Sequence, residues 1–249
     1  MKLVSLVVTL LLGALLLMAT ADFPDWGDPQ SPASLHVSDY YIENSMEQTS
    51  VPNFVTSILA DYRGYDTMFE TTVIFCAGLT VLTLLRRNHR RQKKVVMSRP
   101  KRENQDLILT SAARMIAPMM QIFALYVVAH GHHSPGGGFQ GGVILGASFI
   151  LLALAYDLRT ILDRLKERRA LIMCGIGVAI YAGIGAGCLL LGGNFLDYGV
   201  WGKVLGVSPV EARSHGMLGV EIGVAITVMY IMFSLYADLS SGGEMDEGL

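Results

Sequence analysis

Two glutamates lie within long apolar runs of the sequence and are the strongest candidates for ion or proton transfer. Glu70 and Glu221 each occupy a position where an ionised carboxylate is costly unless it is paired, hydrated or functional. Asp66 precedes Glu70 by four residues, so both carboxylates would lie on one face of a helix. Gly219 and Gly223 flank Glu221 and would let another helix approach it. We therefore predict that these acids exchange protons or sodium ions.

Both glutamates also have a structural interpretation, which the sequence leaves open. Glu70 lies about 8 Å inside its apolar run at roughly 1.5 Å per residue, where it could instead stabilise the start of a helix through the helix dipole. Glu221 could serve as a neutral hydrogen-bond donor between helices. A functional test therefore has to separate ion transfer from packing for each residue.

A histidine- and glycine-rich segment, residues 130–142, separates two apolar runs. Proline and glycine release its backbone from helical hydrogen bonding, and such a backbone is tolerated near a bilayer only where protein or water covers it. The residues that break the helix are Pro135, Gly136, Gly137, Gly138, Gly141 and Gly142. His130 and His132 add side chains that titrate near neutral pH, so we predict that they relay protons or that the loop acts as a hinge.

Cofactor and metal sites are not indicated by this segment. The pattern Gly-x-Gly-x-x-Gly occurs at residues 136–141, but it follows a membrane-length run rather than a strand, so it does not predict a nucleotide site. His130, His132 and His133 lack a fourth ligand or a carboxylate partner in the loop, which argues against zinc or copper. We predict no cofactor, no metal and no catalytic activity of the isolated chain.

The composition indicates the kind of protein that positions these residues. Hydrophobic residues make up 52% of the 249 residues, charged residues make up 16%, and the mean hydropathy is +0.45. The hydrophobic share and the hydropathy are above what a soluble domain normally carries and the charged share is below it, so the sequence indicates an integral membrane protein. We predict an all-α fold with about six transmembrane helices, interrupted by the glycine-rich loop. The predicted spans are residues 3–18, 65–85, 107–129, 141–156, 170–193 and 216–239.

Basic residues between the spans predict the orientation of the chain. Nine lysines and arginines between residues 86 and 102 separate the second and third spans, and positive loops are retained in the cytoplasm. Alternation from there places both termini in the cytoplasm and the acidic segment 22–64 outside, in a multi-pass protein of the cytoplasmic (inner) membrane. The net charge of −2 hides an uneven distribution, basic toward the cytoplasm and acidic outside, as the topology requires, and no nucleic-acid partner is implied. The first span also fits a cleaved signal peptide, an alternative that remains open.

Apolar side chains recur with helical spacing in the second half of the outer segment. They are Val51, Phe54, Val55, Ile58, Leu59 and Tyr62. This spacing predicts an amphipathic helix that lies at the membrane interface or against a partner. Lipid or another protein of the same assembly would have to cover its apolar face.

The loop sequence also resembles that of a known family. Residues 131–142, Gly-His-His-Ser-Pro-Gly-Gly-Gly-Phe-Gln-Gly-Gly, are similar to the signature of the MnhB (MrpB) subunit of Mrp (Mnh)-type multisubunit sodium/proton antiporters, and the similarity covers residues 105–249. Family members usually have Asn-Ala where this chain has His133 and Ser134. Glu221 matches the acid of the family's last helix. The resemblance implies an MnhB/MrpB-like domain with four transmembrane helices, which we assign to residues 101–249.

The first hundred residues resemble other parts of the same systems. Residues 61–67 and Glu70 are similar to the C-terminal end of the MrpA subunit and to the small MbhE subunit of membrane-bound hydrogenases. This resemblance implies a second domain, residues 1–100, with two transmembrane helices and the outer amphipathic helix. It also implies that two elements of one complex are fused at a fixed stoichiometry.

Together the resemblances imply a function and its alternatives. We predict a membrane component of a multisubunit Na⁺/H⁺ antiporter that contributes to ion translocation or coupling, is inactive alone and is not an enzyme. Its partners would be the other subunits of a Mrp- or Mbh-type complex, membrane lipid, Na⁺ and H⁺. The alternatives are a component of an energy-converting hydrogenase or complex I-like respiratory complex, and a structural scaffold without an ion path.

Overall fold

Helices account for the regular structure of the chain. The computed structural model describes residues 2–32, 34–89 and 107–241, and these ranges contain no β-strand. The α-helices are α1 (Lys2–Ala19), α2 (Asp39–Thr49), α3 (Phe54–Thr56), α4 (Gly64–His89), α5 (Leu107–Ala129), α6 (Gly138–Tyr156), α7 (Leu158–Leu162), α8 (Glu167–Leu190), α9 (Gly202–Leu205) and α10 (Pro209–Ser241). Six of them are long and apolar enough to cross a membrane, which confirms the predicted all-α membrane fold.

The spanning helices are α1, α4, α5, α6, α8 and α10, and each overlaps one predicted span. The largest difference is at α10, which begins at Pro209 rather than near residue 216. Ser208 and Glu211 cap its start: the Glu211 backbone N–H donates to the Ser208 hydroxyl at 3.2 Å, and the Ser208 N–H donates to the Glu211 carboxylate at 3.1 Å. The predicted basic linker falls largely outside the described residues, within 90–106.

The chain divides into two compact units, Met1–Asn44 and Ser45–Leu249. In the first unit, none of the span that includes α1 is buried by protein. A helix that is apolar around its whole circumference and exposed is suited to contact with lipid. In the second unit, α10 packs against α8, α6 and α4, and α5 packs against α6. The helix α10 is therefore the central helix of the second unit.

Glycines allow α6 to lie directly on α10. Three of them are spaced four residues apart on one face of α6: Gly138, Gly142 and Gly146. A Cβ at Gly138 would overlap the carbonyl oxygen of Glu221, and one at Gly142 would lie 2.8 Å from that of Ala225. This contact places the N-terminal end of α6 beside Glu221.

The crossing of α8 and α10 also depends on glycine. A Cβ at Gly223 would lie 2.7 Å from the carbonyl oxygen of Gly177. Beside this contact, the Thr227 hydroxyl donates to the Cys174 carbonyl oxygen at 3.1 Å. The prediction that Gly223 admits another helix is confirmed, and that helix is α8.

The outer segment between α2 and α4 is helical but is not one continuous α-helix. Asn53 caps α3, and a π-helical turn, Ser57–Tyr62, follows directly. A π-helical turn contains more residues than an α-helical turn, so the side chains rotate relative to the predicted apolar stripe. Val55 and Leu59 of that stripe are exposed. The buried side chains of the segment are those of Val51, Thr56, Ser57 and Ala60.

Candidate functional site

A cavity of about 320 Å³ lies where α4, α8 and α10 meet the glycine-rich loop and the outer segment. Its lining joins side chains that are far apart in the sequence. The polar ones include Glu70, Thr71, Gln140, Tyr181 and Glu221. The two glutamates that the sequence placed on different helices therefore face one common space.

Glu221 is enclosed by the backbone of the glycine-rich loop, and only 8% of its surface is exposed. A Cβ at Gly131 would lie 2.9 Å from its Oε2, and one at Gly137 would lie 2.9 Å from its Oε1. Gly137 also has a φ of +130°, which favours glycine. Within the described ranges, Oε2 has no hydrogen-bond partner. One carboxylate oxygen is thus available to a water molecule, a proton or a cation.

The only lysine or arginine of α10 is Arg213, which lies outside the cavity lining and outside the predicted shorter span. Arg213 precedes Glu221 by eight residues, or about 12 Å at roughly 1.5 Å per residue. Its Nε lies 3.3 Å from Oδ2 of Asp61, whose side chain is 3% exposed. The pair is an electrostatic contact without hydrogen-bond geometry. Arg213 is therefore engaged by another acid and does not neutralise Glu221.

Asp61 is itself a buried acid with an altered protonation equilibrium. Burial raises the pKa of Asp61 to about 6; the Arg213 guanidinium acts in the opposite direction, and the Asp197 carboxylate raises the pKa further. Burial therefore outweighs the attraction of the neighbouring cation. Asp61 lies at the end of the π-helical turn. Its charge therefore changes there when the solution becomes slightly acidic.

Two buried tyrosines fix the corner between this turn and α4. The Tyr198 hydroxyl donates to the carbonyl oxygen of Ala60 at 3.0 Å, and the Tyr181 hydroxyl donates to that of Gly64 at 2.8 Å. Burial raises the pKa of Tyr198, which keeps this hydroxyl a neutral donor. Because α4 begins at Gly64, these bonds set the position of Glu70, less than two turns further along the helix.

Glu70 lines the cavity from α4 and, unlike Glu221, is an exposed residue. Thr67 and Thr71 also line the cavity, and the buried Thr71 hydroxyl donates to the Thr67 carbonyl oxygen at 2.8 Å. Asp66 lies one turn before Glu70 but outside the lining. Its Oδ2 lies 2.6 Å from Nε of Arg63, and its side chain is half-exposed. The two acids that the sequence placed on one helical face therefore have different surroundings.

The candidate histidines also lie outside the cavity lining. His132 is buried, and its Nδ1 lies 3.2 Å from the Ser214 hydroxyl. Burial lowers the pKa of His132, and its electrostatic interactions with His133 and His215 lower it further, so this imidazole is neutral near pH 7. His130 is exposed and stacks on the aromatic ring one turn earlier. Across the described ranges, no three metal-binding side chains are grouped to hold an ion.

Two polar residues of the outer segment, which sequence reasoning did not single out, hold the glycine-rich loop. The Asn53 amide nitrogen Nδ2 donates to the carbonyl oxygens of Gly131 at 2.7 Å and Ser134 at 2.8 Å. The Thr56 hydroxyl donates to the same Gly131 oxygen at 2.8 Å. Asparagine is a common N-cap residue, so Asn53 is a possible sequence signal for a helix start, but this signal does not identify the loop as a partner.

The sequence matches two families of membrane proteins. Residues 108–234 match a domain described as related to the MnhB subunit of Na⁺/H⁺ antiporters, and residues 7–104 match MbhE, the E-type subunit of MBH. The chain is 32% identical over 131 residues to the B-type subunit of the Na⁺/H⁺ antiporter of Bacillus subtilis (strain 168), an alignment that covers 50% of this chain and 90% of that protein.

Two solved membrane complexes contain chains of similar structure. A chain of the membrane-bound sulfane sulfur reductase, an archaeal respiratory membrane complex, is 28% identical with a TM-score of 0.56, covering 92% of this chain and 97% of that one. A chain of the Mrp complex from Dietzia sp. DQ12-45-1b is 25% identical with a TM-score of 0.63, covering 99% of this chain and 26% of that one. The structural similarity thus extends over most of this chain in both cases, in a chain of comparable length and within a much longer one.

Proposed function

Because the chain belongs to the family of domains related to the MnhB subunit of Na⁺/H⁺ antiporters, we propose that it is a membrane component of a multisubunit secondary antiporter that exchanges Na⁺ for H⁺. It works with the other subunits of that complex and is inactive alone. We place it in the cytoplasmic membrane with both termini in the cytoplasm. We assign residues 1–100 to an MbhE-like domain and residues 101–249 to the MnhB-like domain.

The observation that carries this proposal is the cavity shared by Glu70 and Glu221. Glu221 is buried against peptide backbone, and among the described residues no basic side chain forms an ion pair with it. An ionised carboxylate in such surroundings needs a positive charge, which a proton or a mobile cation can supply. This requirement makes Glu221 suited to exchange one for the other.

The exchange follows from competition for one carboxylate. A sodium ion in the cavity neutralises Glu221 and finds further oxygen atoms on Thr71 and Gln140, which line the same space. A proton neutralises Glu221 equally well and releases the ion. Glu70, which is exposed, attracts cations toward the cavity. Because proton and sodium cannot both occupy Glu221, their movements become coupled.

Asp66, His130 and His132 have secondary roles in this proposal, because none of them lines the cavity. Asp66 adds negative charge one turn before Glu70, although Arg63 compensates part of it. His132 supports the loop as a neutral side chain, and His130 lies exposed at the start of the loop.

A second candidate function is the same module in a redox-driven respiratory complex. The similarity to a chain of the archaeal sulfane sulfur reductase, over 92% of this chain, specifically favours it. The two functions differ in what drives proton movement. A free-standing antiporter responds to an imposed sodium gradient without any electron donor, whereas a redox-driven complex requires electron transfer.

The test is sodium-driven proton flux in vesicles that contain the whole complex, without an electron donor. We expect Glu221→Gln to abolish flux and Glu70→Gln to reduce it, with the amount of assembled complex unchanged. Glu211→Gln is a matched control on the same helix, because Glu211 is exposed and glutamine can still form its cap with Ser208.

Each outcome separates the proposed functions. Normal flux in Glu221→Gln at normal assembly would reduce the chain to a scaffold without an ion path. Flux that appears only when an electron donor is added would identify the redox-driven complex. Loss of flux in Glu211→Gln as well would show that the assay reports a general disturbance of α10.

A further inference from the structure

The outer segment and the glycine-rich loop are joined by hydrogen bonds that cross the boundary between the two family matches. Besides the bonds from its side chain, Asn53 donates its backbone N–H to the carbonyl oxygen of His132 at 2.9 Å. The Gly131 carbonyl oxygen accepts from both Asn53 Nδ2 and the Thr56 hydroxyl. Three loop carbonyls are thus held from a segment nearly 80 residues earlier in the chain, since Asn53 and Gly131 are 78 positions apart.

These bonds satisfy groups that the loop cannot satisfy by itself. Gly131 and His132 are buried, and a buried carbonyl without a donor costs about 1–3 kcal/mol. The Asn53 side chain is itself fixed, because its Nδ2 also contacts the Thr56 hydroxyl at 2.9 Å and its Oδ1 accepts the Val55 N–H at 3.1 Å. The two donors therefore form a rigid support for the loop.

The supported part of the loop is also the part that encloses Glu221. Gly131 receives the two donors at its carbonyl oxygen, while its Cα lies against Oε2 of Glu221. Gly137 approaches the same position, since a Cβ on Gly131 would lie 2.9 Å from its Cα. A displacement of Gly131 would therefore change the space on both sides of the carboxylate.

We infer that Asn53 and Thr56 are positioning residues, which hold the glycine-rich loop against Glu221 and thereby control how tightly that carboxylate binds a cation. This inference rests on the proposed ion exchange at Glu221. It assigns the MbhE-like domain a direct role in a site whose acid belongs to the MnhB-like domain. A loop that is no longer held lets water compete with the cation for the carboxylate.

Substitutions at these two residues can separate support of the loop from helix capping. Asn53→Asp keeps the oxygen that caps α3 but replaces the amide donor by an oxygen that faces the Gly131 and Ser134 carbonyls. Thr56→Val keeps nearly the same shape and removes the hydroxyl donor. Thr56→Ser keeps the hydroxyl and is the conservative control.

Two measurements on the whole complex test the inference. Hydrogen exchange of backbone amides in residues 131–138 reports support of the loop without any reference to transport. The apparent KM for Na⁺ in vesicles reports binding of the cation, and the maximal rate reports the remaining steps. We expect Asn53→Asp and Thr56→Val to speed exchange of the loop amides about tenfold and to raise the KM several-fold, with a smaller change in maximal rate. Thr56→Ser should stay close to the wild type in both.

The results distinguish this inference from the proposed function. Unchanged exchange of the loop amides in both variants would show that Asn53 and Thr56 do not hold the loop. Faster exchange with an unchanged KM would show that the loop is held but does not position Glu221. Normal flux in Glu221→Gln would contradict the proposed function, while the exchange measurement would still report whether the loop is supported. If Asn53→Asp lowers assembly, Thr56→Val provides the same readouts with a smaller change.

Discussion

Asp61 and Glu221 are two buried acids of one helical unit with opposite surroundings. The Asp61 side chain is 3% exposed and lies 3.3 Å from the Arg213 guanidinium. Glu221 is 8% exposed and faces the backbone of Gly131 and Gly137. A fixed cation beside a carboxylate occupies the place that a mobile ion would need. Under the proposed function, Asp61 therefore stabilises the outer corner, whereas Glu221 lacks a fixed cation and exchanges a proton for a mobile ion.

A fixed cation placed beside Glu221 would remove the difference between the surroundings of the two acids. Gln140 is suited to this, because a Cβ at Gly137 would lie 2.9 Å from the Glu221 carboxylate and 3.6 Å from the Gln140 side-chain oxygen. We expect Gln140→Lys to lower sodium-driven proton flux by about tenfold or more, since the ammonium group competes with the mobile cation. Flux is measured in vesicles at matched assembly.

The control for this change is Gln140→Met, which has a similar length and no charge. Because it removes one proposed sodium ligand but adds no competing cation, it should lower the flux less than Gln140→Lys does. Flux at the wild-type level in Gln140→Lys, with the complex assembled, would show that transport does not require an unpaired carboxylate. Asp61→Asn completes the comparison, because removal of the acid that already has a cation should leave most of the flux intact.

The close approach of the loop to Glu221 leads to a second prediction, which concerns the stability of the folded complex. Gly137→Ala would place a Cβ against Oε1 of Glu221 at a φ of +130°, so we expect it to destabilise the folded complex by about 1–3 kcal/mol. The measurement is the thermal unfolding midpoint of the purified complex. Gly183→Ala on α8 is the matched control, because a Cβ there has no neighbour within 4 Å. Equal midpoints for the two variants would show that the loop is not packed against the carboxylate.

The outer ion pair makes a third prediction, on pH dependence. The pKa of Asp61 is raised to about 6, so the folded protein binds a proton more tightly than the unfolded chain. Stability from this residue is complete below its ordinary pKa near 4 and is lost as pH rises through about 6. We expect the thermal midpoint of Asp61→Asn to lack this loss between pH 4 and 6.

Substitutions of Arg213 provide a second test of the pH dependence that we attribute to Asp61. The guanidinium lowers the pKa of Asp61 against the effect of burial, so Arg213→Gln should raise that pKa and move the loss of stability to higher pH. Arg213→Lys keeps the charge and should move it less. A midpoint that depends on pH in the same way in Asp61→Asn and the wild type would show that Asp61 is not the titrating group.

Much of the fold could be predicted because bilayer thickness and the hydrophobicity of spanning helices limit the possibilities. The six spans, the helix-breaking loop and the close packing at Gly223 followed from composition and spacing. The start of α10 was also readable: Ser208, Pro209 and Glu211 form a capping box with proline at the first helical position. Reading that signal would have placed Arg213 on the same helix as Glu221.

The site itself could be predicted only in part, because its geometry depends on tertiary packing. The sequence pointed to Glu70 and Glu221 separately, but the crossing of α4, α8 and α10 brings them to one cavity. The π-helical turn had no periodic signal and changes which residues of the outer segment are buried. The bonds from Asn53 to a loop 78 residues away likewise follow from the fold rather than from local spacing.

His132 makes the smallest predicted contribution to the pH dependence of stability. This contribution is opposite in sign to that of Asp61. Burial lowers the pKa of His132 below its ordinary value of 6.5, so the unfolded chain binds the proton more tightly than the folded protein. Its contribution to stability is complete above pH 6.5 and is lost as pH falls below that value. His132→Asn removes the titration and keeps a polar atom near the Ser214 hydroxyl. We expect its thermal midpoint to decrease less than that of the wild type between pH 7.5 and 5.5. A steeper decrease in His132→Asn would show that protonated His132 is accommodated in the folded loop, and that the histidine belongs with the exchanging groups rather than with the architecture.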